Sequence, residues 1–205
     1  KNRAKIEVTI VVKAASESQA QPVFERIRIN FSNDDSFVKA ETFIESQKSA
    51  WFYWGSSSNT EFQINYQVYM PASASLDLNN KYGDALVAPL SGRTKVDVKY
   101  GNFRLEGANA LTVTLDYGNG TVVKSGDATV NVSYSKLNLN NVRNVNLTSK
   151  YSKLTVENGA DLNADSRYDE FQLTKIDRLT CTTKYGNMTV GNAESISATG
   201  QYTDF

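Results

Sequence analysis

Four consecutive aromatic residues are the most unusual local feature of the chain. They are Trp51, Phe52, Tyr53 and Trp54, and residues 55–59 after them have the composition of a flexible linker. Trp and Tyr rings offer flat apolar faces that stack on sugars, contact lipid or anchor a protein partner. The segment is therefore a candidate lipid- or glycan-binding loop, with packing of the same rings on the fold as the alternative.

Paired carboxylates are the second chemistry to consider, because a glycosidase needs two carboxyl groups about 5 to 9 Å apart. The candidate pairs are Asp161 with Asp165 and Asp169 with Glu170, all at ordinary turn or exposed-strand positions. The chain has no histidine, which removes the commonest general base and zinc ligand. We predict that the protein is not an enzyme, with no catalytic residues and no cofactor.

Metal and nucleic-acid binding are also disfavoured by composition. Cys181 is the only cysteine, so an internal disulfide and a cysteine-rich metal site are excluded. It falls on an apolar row of the repeat described below and is predicted to be a small core residue. Corner Asp and Asn residues lack a glycine-Asp calcium repeat, so no metal site is predicted. Lys plus Arg and Asp plus Glu both number 22, which argues against nucleic acid as a partner.

Tyrosine marks an internal repeat. Its spacing is 18 residues once and then 17 residues six times, at Tyr82, Tyr100, Tyr117, Tyr134, Tyr151, Tyr168, Tyr185 and Tyr202. The residues that follow are mostly Gly, Asn, Asp or Ser, as in Gly101-Asn102 and Gly118-Asn119. Because Gly, Asn and Asp tolerate a positive φ, each Tyr-Gly-Asx segment predicts a sharp corner.

The residues between the tyrosines alternate in polarity. With Tyr as coil position 1, positions 4 and 6 are apolar, as are most residues at positions 12 and 14. This alternation predicts two short strands per repeat, and Gly and Asn at positions 7 to 11 predict a second corner. A single coil cannot bury its apolar side, but parallel coils stacked in register can. The sequence therefore predicts a mainly β protein, a parallel β-helix or β-solenoid of 17-residue coils.

Two outward rows and the tyrosines are the repeated candidate surfaces. The outward rows at positions 13 and 15 include Thr112, Thr114, Thr129, Asn131, Asn146, Thr148, Thr180 and Thr182. They predict a flat, polar, hydroxyl-rich face suited to adhesion. Ice binding is the alternative, although Asn and Asp interrupt the Thr array. The tyrosines continue the alternation in which positions 12, 14 and 16 face inward. We therefore predict that their rings form a stacked ladder at the edge of the core, with a sugar-binding strip as the alternative.

The first part of the chain lacks the repeat. Alternation over residues 6–12 and 62–70 predicts two strands, residues 16–27 a helix, and residues 33–36 the turn of a hairpin. We predict a small α/β cap over residues 1–74 that merges into a solenoid over residues 75–205. The chain stops at Phe205, four residues into a coil. Either the natural protein continues, or this open coil mediates self-association.

The chain resembles a known bacterial family. The segment from Asn65 through Pro71 to Leu78, followed by Lys81-Tyr82-Gly83-Asp84 and repeated Tyr-Gly-Asn corners, is similar to the adhesin-like β-solenoid family of cell-envelope proteins. The resemblance covers most of the chain and includes the N-terminal strand, helix and hairpin. It implies a right-handed solenoid and export to the periplasm, outer membrane or cell surface.

The resemblance transfers no individual site residue, because the family's function is itself largely unknown. The leading hypothesis is an exported, non-catalytic adhesin or scaffold that binds a surface glycan, a lipid or an envelope protein through its polar faces. The alternative is a lipid- or glycan-binding module centred on Trp51 to Trp54.

Overall fold

A computed structural model describes residues 3–45 and 60–204 of the chain. The chain divides into two compact units, Lys1–Pro71 and Ala72–Phe205. Strands make up most of the described residues in both units.

The N-terminal unit contains two antiparallel strand pairs and a helix. Its elements are β1 (Lys5–Lys13), α1 (Glu17–Arg26), β2 (Ile27–Asn33), β3 (Val38–Ile44) and β4 (Glu61–Tyr69). β1 pairs with β4, and β2 pairs with β3. The predicted strands, helix and hairpin are therefore present, with bounds shifted by one to three residues.

The turn of the β2–β3 hairpin is held by one carboxylate. Asp34 Oδ1 accepts hydrogen bonds from the Ser36 N–H at 2.6 Å and from the Phe37 N–H at 3.1 Å. These bonds hold the pKa of Asp34 below its usual value, chiefly through its bonds with Ser36. An Asx turn of this kind explains why the Asn-Asp-Asp-Ser sequence reverses the chain here.

The second unit is a parallel β-solenoid. Its strands are β5 (Leu76–Lys81), β6 (Ala85–Val87), β7 (Leu90–Lys99), β8 (Asn102–Leu105), β9 (Ala108–Asp116), β10 (Asn119–Ser133), β11 (Lys136–Lys150), β12 (Lys153–Arg167) and β13 (Glu170–Asp204). The strands pair in the order β5-β7-β9-β10-β11-β12-β13, each stacked on its successor in parallel. Each residue of β10 that pairs with β11 lies opposite the residue 17 positions later. The predicted solenoid and its coil length are confirmed.

The core lies inside the stacked coils on the rows that the alternation predicts. Leu137 and Leu139 at positions 4 and 6, and Val145 and Leu147 at positions 12 and 14, are all buried. The rows stay buried in most of the unit, but Ile196 at position 12 of the last described coil is 53% exposed. The same coil position is therefore buried in one coil and exposed in another.

The predicted second corner is a bend within a strand, because β10, β11 and β12 each run unbroken for 15 residues. Parallel pairing continues through the bend at position 9, where Ser125, Val142, Gly159 and Ile176 oppose one another and lie inside. The alternation rule missed this inward row because its parity shifts at the bend.

The predicted first corner is present, but a different residue makes it. Every repeat tyrosine has a left-handed backbone, with φ between 51° and 63°. The following glycines are needed for space: a Cβ on Gly118 would lie 1.8 Å from the Gly101 carbonyl oxygen. Because a left-handed residue interrupts the alternation, the rings project outward, and their predicted inward parity is wrong.

The single 18-residue spacing has a local cause. Leu90 lies opposite Ala108, whereas Arg93 lies opposite Ala110, so one strand carries an extra residue between them. This bulge contains Gly92, where a Cβ would lie 2.3 Å from the Ala74 carbonyl oxygen. The bulge absorbs the insertion, and every later coil keeps the 17-residue register.

Candidate binding surface

The tyrosines form a continuous ladder along the first corner. Successive ring centroids lie 4.8 to 5.2 Å apart, and the interplanar angles do not exceed 19°. The predicted stacked ladder is confirmed. Tyr100 to Tyr185 are 42–48% exposed, while the end rings Tyr82 and Tyr202 are 71% and 74% exposed. Since each interior ring covers the faces of its neighbours, solvent reaches ring edges.

Stacked rings therefore do not form a platform for sugar faces. A pyranose that packs on an aromatic residue needs a free ring face, and each interior ring of the ladder has a stacked neighbour on both faces. The repeated tyrosines instead present a line of polar ring edges whose spacing equals the coil spacing.

A buried polar relay supports the ladder from inside at coil position 2. The Gly118 N–H donates to Ser135 Oγ at 3.0 Å, and the Ser135 N–H donates to Ser152 Oγ at 3.2 Å. The Ser152 N–H in turn donates to Asp169 Oδ1 at 2.7 Å. Each side chain satisfies a corner amide of the coil before it, so the relay fixes the corners against one another.

Asp169 ends the relay as a buried carboxylate. Its Oδ2 accepts from Ser149 Oγ at 2.7 Å and from the Arg167 N–H at 3.1 Å. Burial raises the pKa of Asp169 above its ordinary value, although hydrogen bonds from Ser149, Ser152 and Arg167 favour the ionised form. Asp169 is a structural acceptor inside the coil, where a solvent-borne substrate cannot reach it.

The predicted polar rows lie on the solvent side of the strands and are in register. Thr129 lies opposite both Thr112 and Asn146, and Asn131 lies opposite both Thr114 and Thr148. Further along, Asp165 lies opposite both Thr148 and Thr182. The rows are exposed except at Thr112 and Thr114, which are half-buried. The structure brings these residues together as one polar face.

Cations border the ladder on both sides. Five of the eight tyrosines directly follow a cation, which is Lys81, Lys99, Lys150, Arg167 or Lys184, while the other three follow Asp116, Ser133 and Gln201. The ammonium of Lys81 lies 4.9 Å from the Tyr82 ring centroid, and that of Lys99 lies 5.4 Å from the Tyr100 centroid. Position 3, on the other side of each tyrosine, holds Lys136 and Lys153. The ladder is therefore a mixed aromatic and cationic edge.

A shallow trough of about 330 Å³ lies beside this edge. Its polar lining comes from coil positions 3 and 5, and Phe103 and Gly120 at position 4 complete the lining. The polar residues are Asn102, Asn119, Thr121, Lys136, Asn138, Lys153 and Thr155. Amides, hydroxyls and ammonium groups together favour a polar, oxygen-rich ligand.

The carboxylates considered for catalysis have other contacts in the structure. Asp161 forms an ion pair with Arg178 at 2.5 Å, and Glu170 forms one with Lys153 at 2.6 Å. Asp165 stands on the polar face. Over residues 3–45 and 60–204, no cluster of three or more carboxylate or cysteine side chains is placed to hold a metal ion.

The remaining candidate residues separate into one core residue and one segment without described structure. Cys181 is buried beside Met188, with 3.8 Å between the sulfur atoms, and burial raises the pKa of its thiol. Its predicted place in the core is confirmed. Trp51, Phe52, Tyr53 and Trp54 lie outside the described residues, so their role in ligand binding stays a prediction.

The fold defines the class of the protein, which is a β-solenoid with a small N-terminal helix and strand region. No known protein family, curated protein or solved structure matches the chain. Within the part of the chain that the structure describes, no helix has the length and apolar character that a membrane crossing requires.

Sequence reasoning missed the cationic border and the buried relay. Lys150, Arg167 and Lys184 occupy one coil position in successive repeats, so aligning the repeats for charge as well as for apolar rows would have found them. The relay residues Ser135, Ser152 and Asp169 share position 2 in the same way, but only the burial of that position gives them a role.

Proposed function

We propose that the protein is a non-catalytic adhesin or scaffold of the bacterial cell envelope that binds an extended surface polymer through its solenoid. The observation that carries this proposal is the in-register polar face of Thr and Asn residues, which repeats from coil to coil. A polymer has a repeated structure of its own, so weak contacts made once per coil add along the chain.

The sequence resemblance supports membership of the adhesin-like β-solenoid family and export to the periplasm, outer membrane or cell surface. The parallel solenoid is the fold that this resemblance implies. Surface glycan, lipid and envelope protein are the proposed classes of partner. The aromatic segment Trp51 to Trp54 is proposed as a second binding element.

The proposal is tested by binding of the purified protein to immobilised bacterial surface glycans and cell-wall polymers, measured by biolayer interferometry. A face variant carries Asn146→Glu and Thr180→Glu, which put new charges on the polar face opposite neutral residues. A control variant carries Asn141→Glu and Thr174→Glu, which put the same charges at the bend of the same two coils.

The wild-type protein and the control variant are expected to bind a surface polymer alike. The face variant is expected to bind about tenfold more weakly, because charged groups on the contact face must be desolvated or repelled. If the face variant and the control variant bound the polymer equally well, the polar face would not be the contact surface. Absence of binding to every surface polymer would refute the proposed function.

A further inference from the structure

The C-terminal half of the tyrosine ladder carries an unusual concentration of positive charge. Around Tyr134 to Tyr185, the cations Lys150, Arg167 and Lys184 lie on one side. Lys136 and Lys153 lie on the other, where Glu170 is the carboxylate at the corresponding position. We call these five cations and the tyrosines between them the basic strip. The N-terminal half is more balanced, since Asp84 and Asp116 occupy the corresponding positions there.

The parallel register places these like charges next to one another. Lys150 lies directly opposite Arg167, and Arg167 lies directly opposite Lys184. Within the described residues these three cations make no ion pair, whereas Lys153 pairs with Glu170. Like charges directly opposite in a sheet destabilise it, so a stack of three costs folding stability. An anionic ligand that runs along the coils would offset this repulsion.

The geometry of the ladder selects among anionic polymers. Single-stranded nucleic acid binds such surfaces by stacking its bases on free aromatic faces. Here the interior ring faces are covered by neighbouring rings 4.8 to 5.0 Å away. A pyranose residue in an extended polysaccharide is similar in length to this spacing, so successive sugar units would meet successive coils.

The trough beside the strip supplies the polar groups that such a polymer needs. Lys136 and Lys153 line it together with Asn138, Thr121 and Thr155. Ammonium groups attract carboxylate or sulfate, and amides and hydroxyls hydrogen-bond to sugar hydroxyls. The exposed groups of the strip are cationic side chains and the edges of stacked tyrosine rings, and the strip includes no aliphatic side chain.

We propose that the basic strip binds an extended acidic polysaccharide, such as a polyuronate, along the axis of the coils. This inference rests on the proposed function and narrows its partner to an anionic glycan. Each coil presents one tyrosine edge, and the cations of three successive coils follow one side of the bound polymer.

The test compares two polymers with the same backbone, polygalacturonate and its fully methyl-esterified form, with single-stranded DNA as a third probe. Binding is measured by isothermal titration calorimetry at low and high salt. A strip variant carries Lys150→Gln, Arg167→Gln and Lys184→Gln. A control variant with the same loss of charge carries Arg93→Gln, Lys124→Gln and Lys175→Gln, which lie at other coil positions of the same unit.

Polygalacturonate is expected to bind the wild-type protein and the control variant, more weakly at high salt because exposed charges are screened. The strip variant is expected to bind it about tenfold more weakly or worse. Far-UV circular dichroism of both variants checks that each keeps the solenoid fold.

Each result that would contradict this proposal points to a different error in it. If the methyl-esterified polymer bound as tightly as polygalacturonate, the ligand would not need carboxylates. The specificity for an acidic polysaccharide would then be wrong, while the proposed polymer-binding function would stand. Tighter binding of DNA would replace the glycan with nucleic acid as partner. An equal loss of polygalacturonate binding in the strip variant and the control variant would show a general effect of net charge. It would contradict binding at the basic strip. Binding of neither polygalacturonate form, with binding to other surface polymers, would also overturn this inference alone.

Discussion

Asp169 shows how a single residue serves the corner from inside. Other coils place Gly or Ser at the same position, and Asp169 extends the relay of acceptors with a carboxylate. Burial raises its pKa, so the group takes up a proton at a higher pH in the folded protein than in the unfolded chain. Its contribution to stability is therefore complete below the ordinary value of 3.8 and is lost as the pH rises through the raised pKa.

Replacement of Asp169 is expected to remove this pH dependence. Asp169→Asn and Asp169→Ser both keep an oxygen near the Ser152 N–H but do not titrate. The difference in unfolding free energy between the wild-type protein and each variant should therefore become less favourable to the wild type as the pH rises from below 3.8 through the raised pKa of Asp169. Urea unfolding followed by circular dichroism over this range measures it. A difference that instead grows with pH would contradict the assigned direction of the pKa shift.

At the scale of the element, the tyrosine corner combines an unfavourable backbone with favourable stacking. A left-handed non-glycine residue costs about 1 to 3 kcal/mol, and an aromatic pair contributes about 0.5 to 1.5 kcal/mol. Each interior ring has two stacked neighbours, so the two effects are similar in size. The ladder thus stabilises a corner that an isolated tyrosine would disfavour.

Substitution of Tyr151 separates the two effects. Tyr151→Ala should destabilise the protein by about 2 kcal/mol, since it loses two stacking contacts and keeps the strained backbone. Tyr151→Gly should be about 1 kcal/mol more stable than the Ala variant, because glycine adopts a positive φ without a Cβ clash. Thermal or urea unfolding measures both.

The neighbouring residue Lys150 is the matched control for this pair. It lies in a regular strand, where Gly is less stable than Ala by about 0.5 to 1 kcal/mol. The sign of the Gly–Ala difference should therefore reverse between Tyr151 and Lys150. The same sign at both positions would argue against a left-handed corner at the tyrosine.

The elements of the solenoid were largely predictable because apolar alternation depends on the sequence alone. Positions 4, 6, 12 and 14 were placed inside correctly. The inward side of position 9 was not predicted, because the alternation changes parity at the bend, even though Val142 and Ile176 there are apolar. The tyrosine rings were placed on the wrong side, because composition does not reveal which corner residue takes the positive φ.

At the scale of the whole molecule, the solenoid unit is stabilised by contacts between neighbouring coils. In such an array, stability is approximately a sum over repeats and the interfaces between them. Leu162 and Ile196 both occupy position 12, yet Leu162 is 3% exposed and Ile196 is 53% exposed. The same coil position therefore has a different energetic role in different coils.

Truncation of these two residues should reveal that difference. Leu162→Ala is expected to cost about 2 to 5 kcal/mol, because it leaves a cavity between two coils. Ile196→Ala is expected to cost less than about 1 kcal/mol, since much of the side chain is already in solvent. Equilibrium urea unfolding measures both, and equal losses would show that position 196 is buried in solution.

The sequence by itself determined the coil length, the parallel stacking and most of the buried rows, because a 17-residue repeat with alternating polarity has few other ways to bury its apolar side. Only the tertiary structure decided which surface the tyrosines present and which charges become neighbours. Lys150, Arg167 and Lys184 are 17 residues apart in the chain, and they meet because the coils stack in register. The left-handed tyrosine backbone then turns the rings outward, so that these cations border an exposed edge.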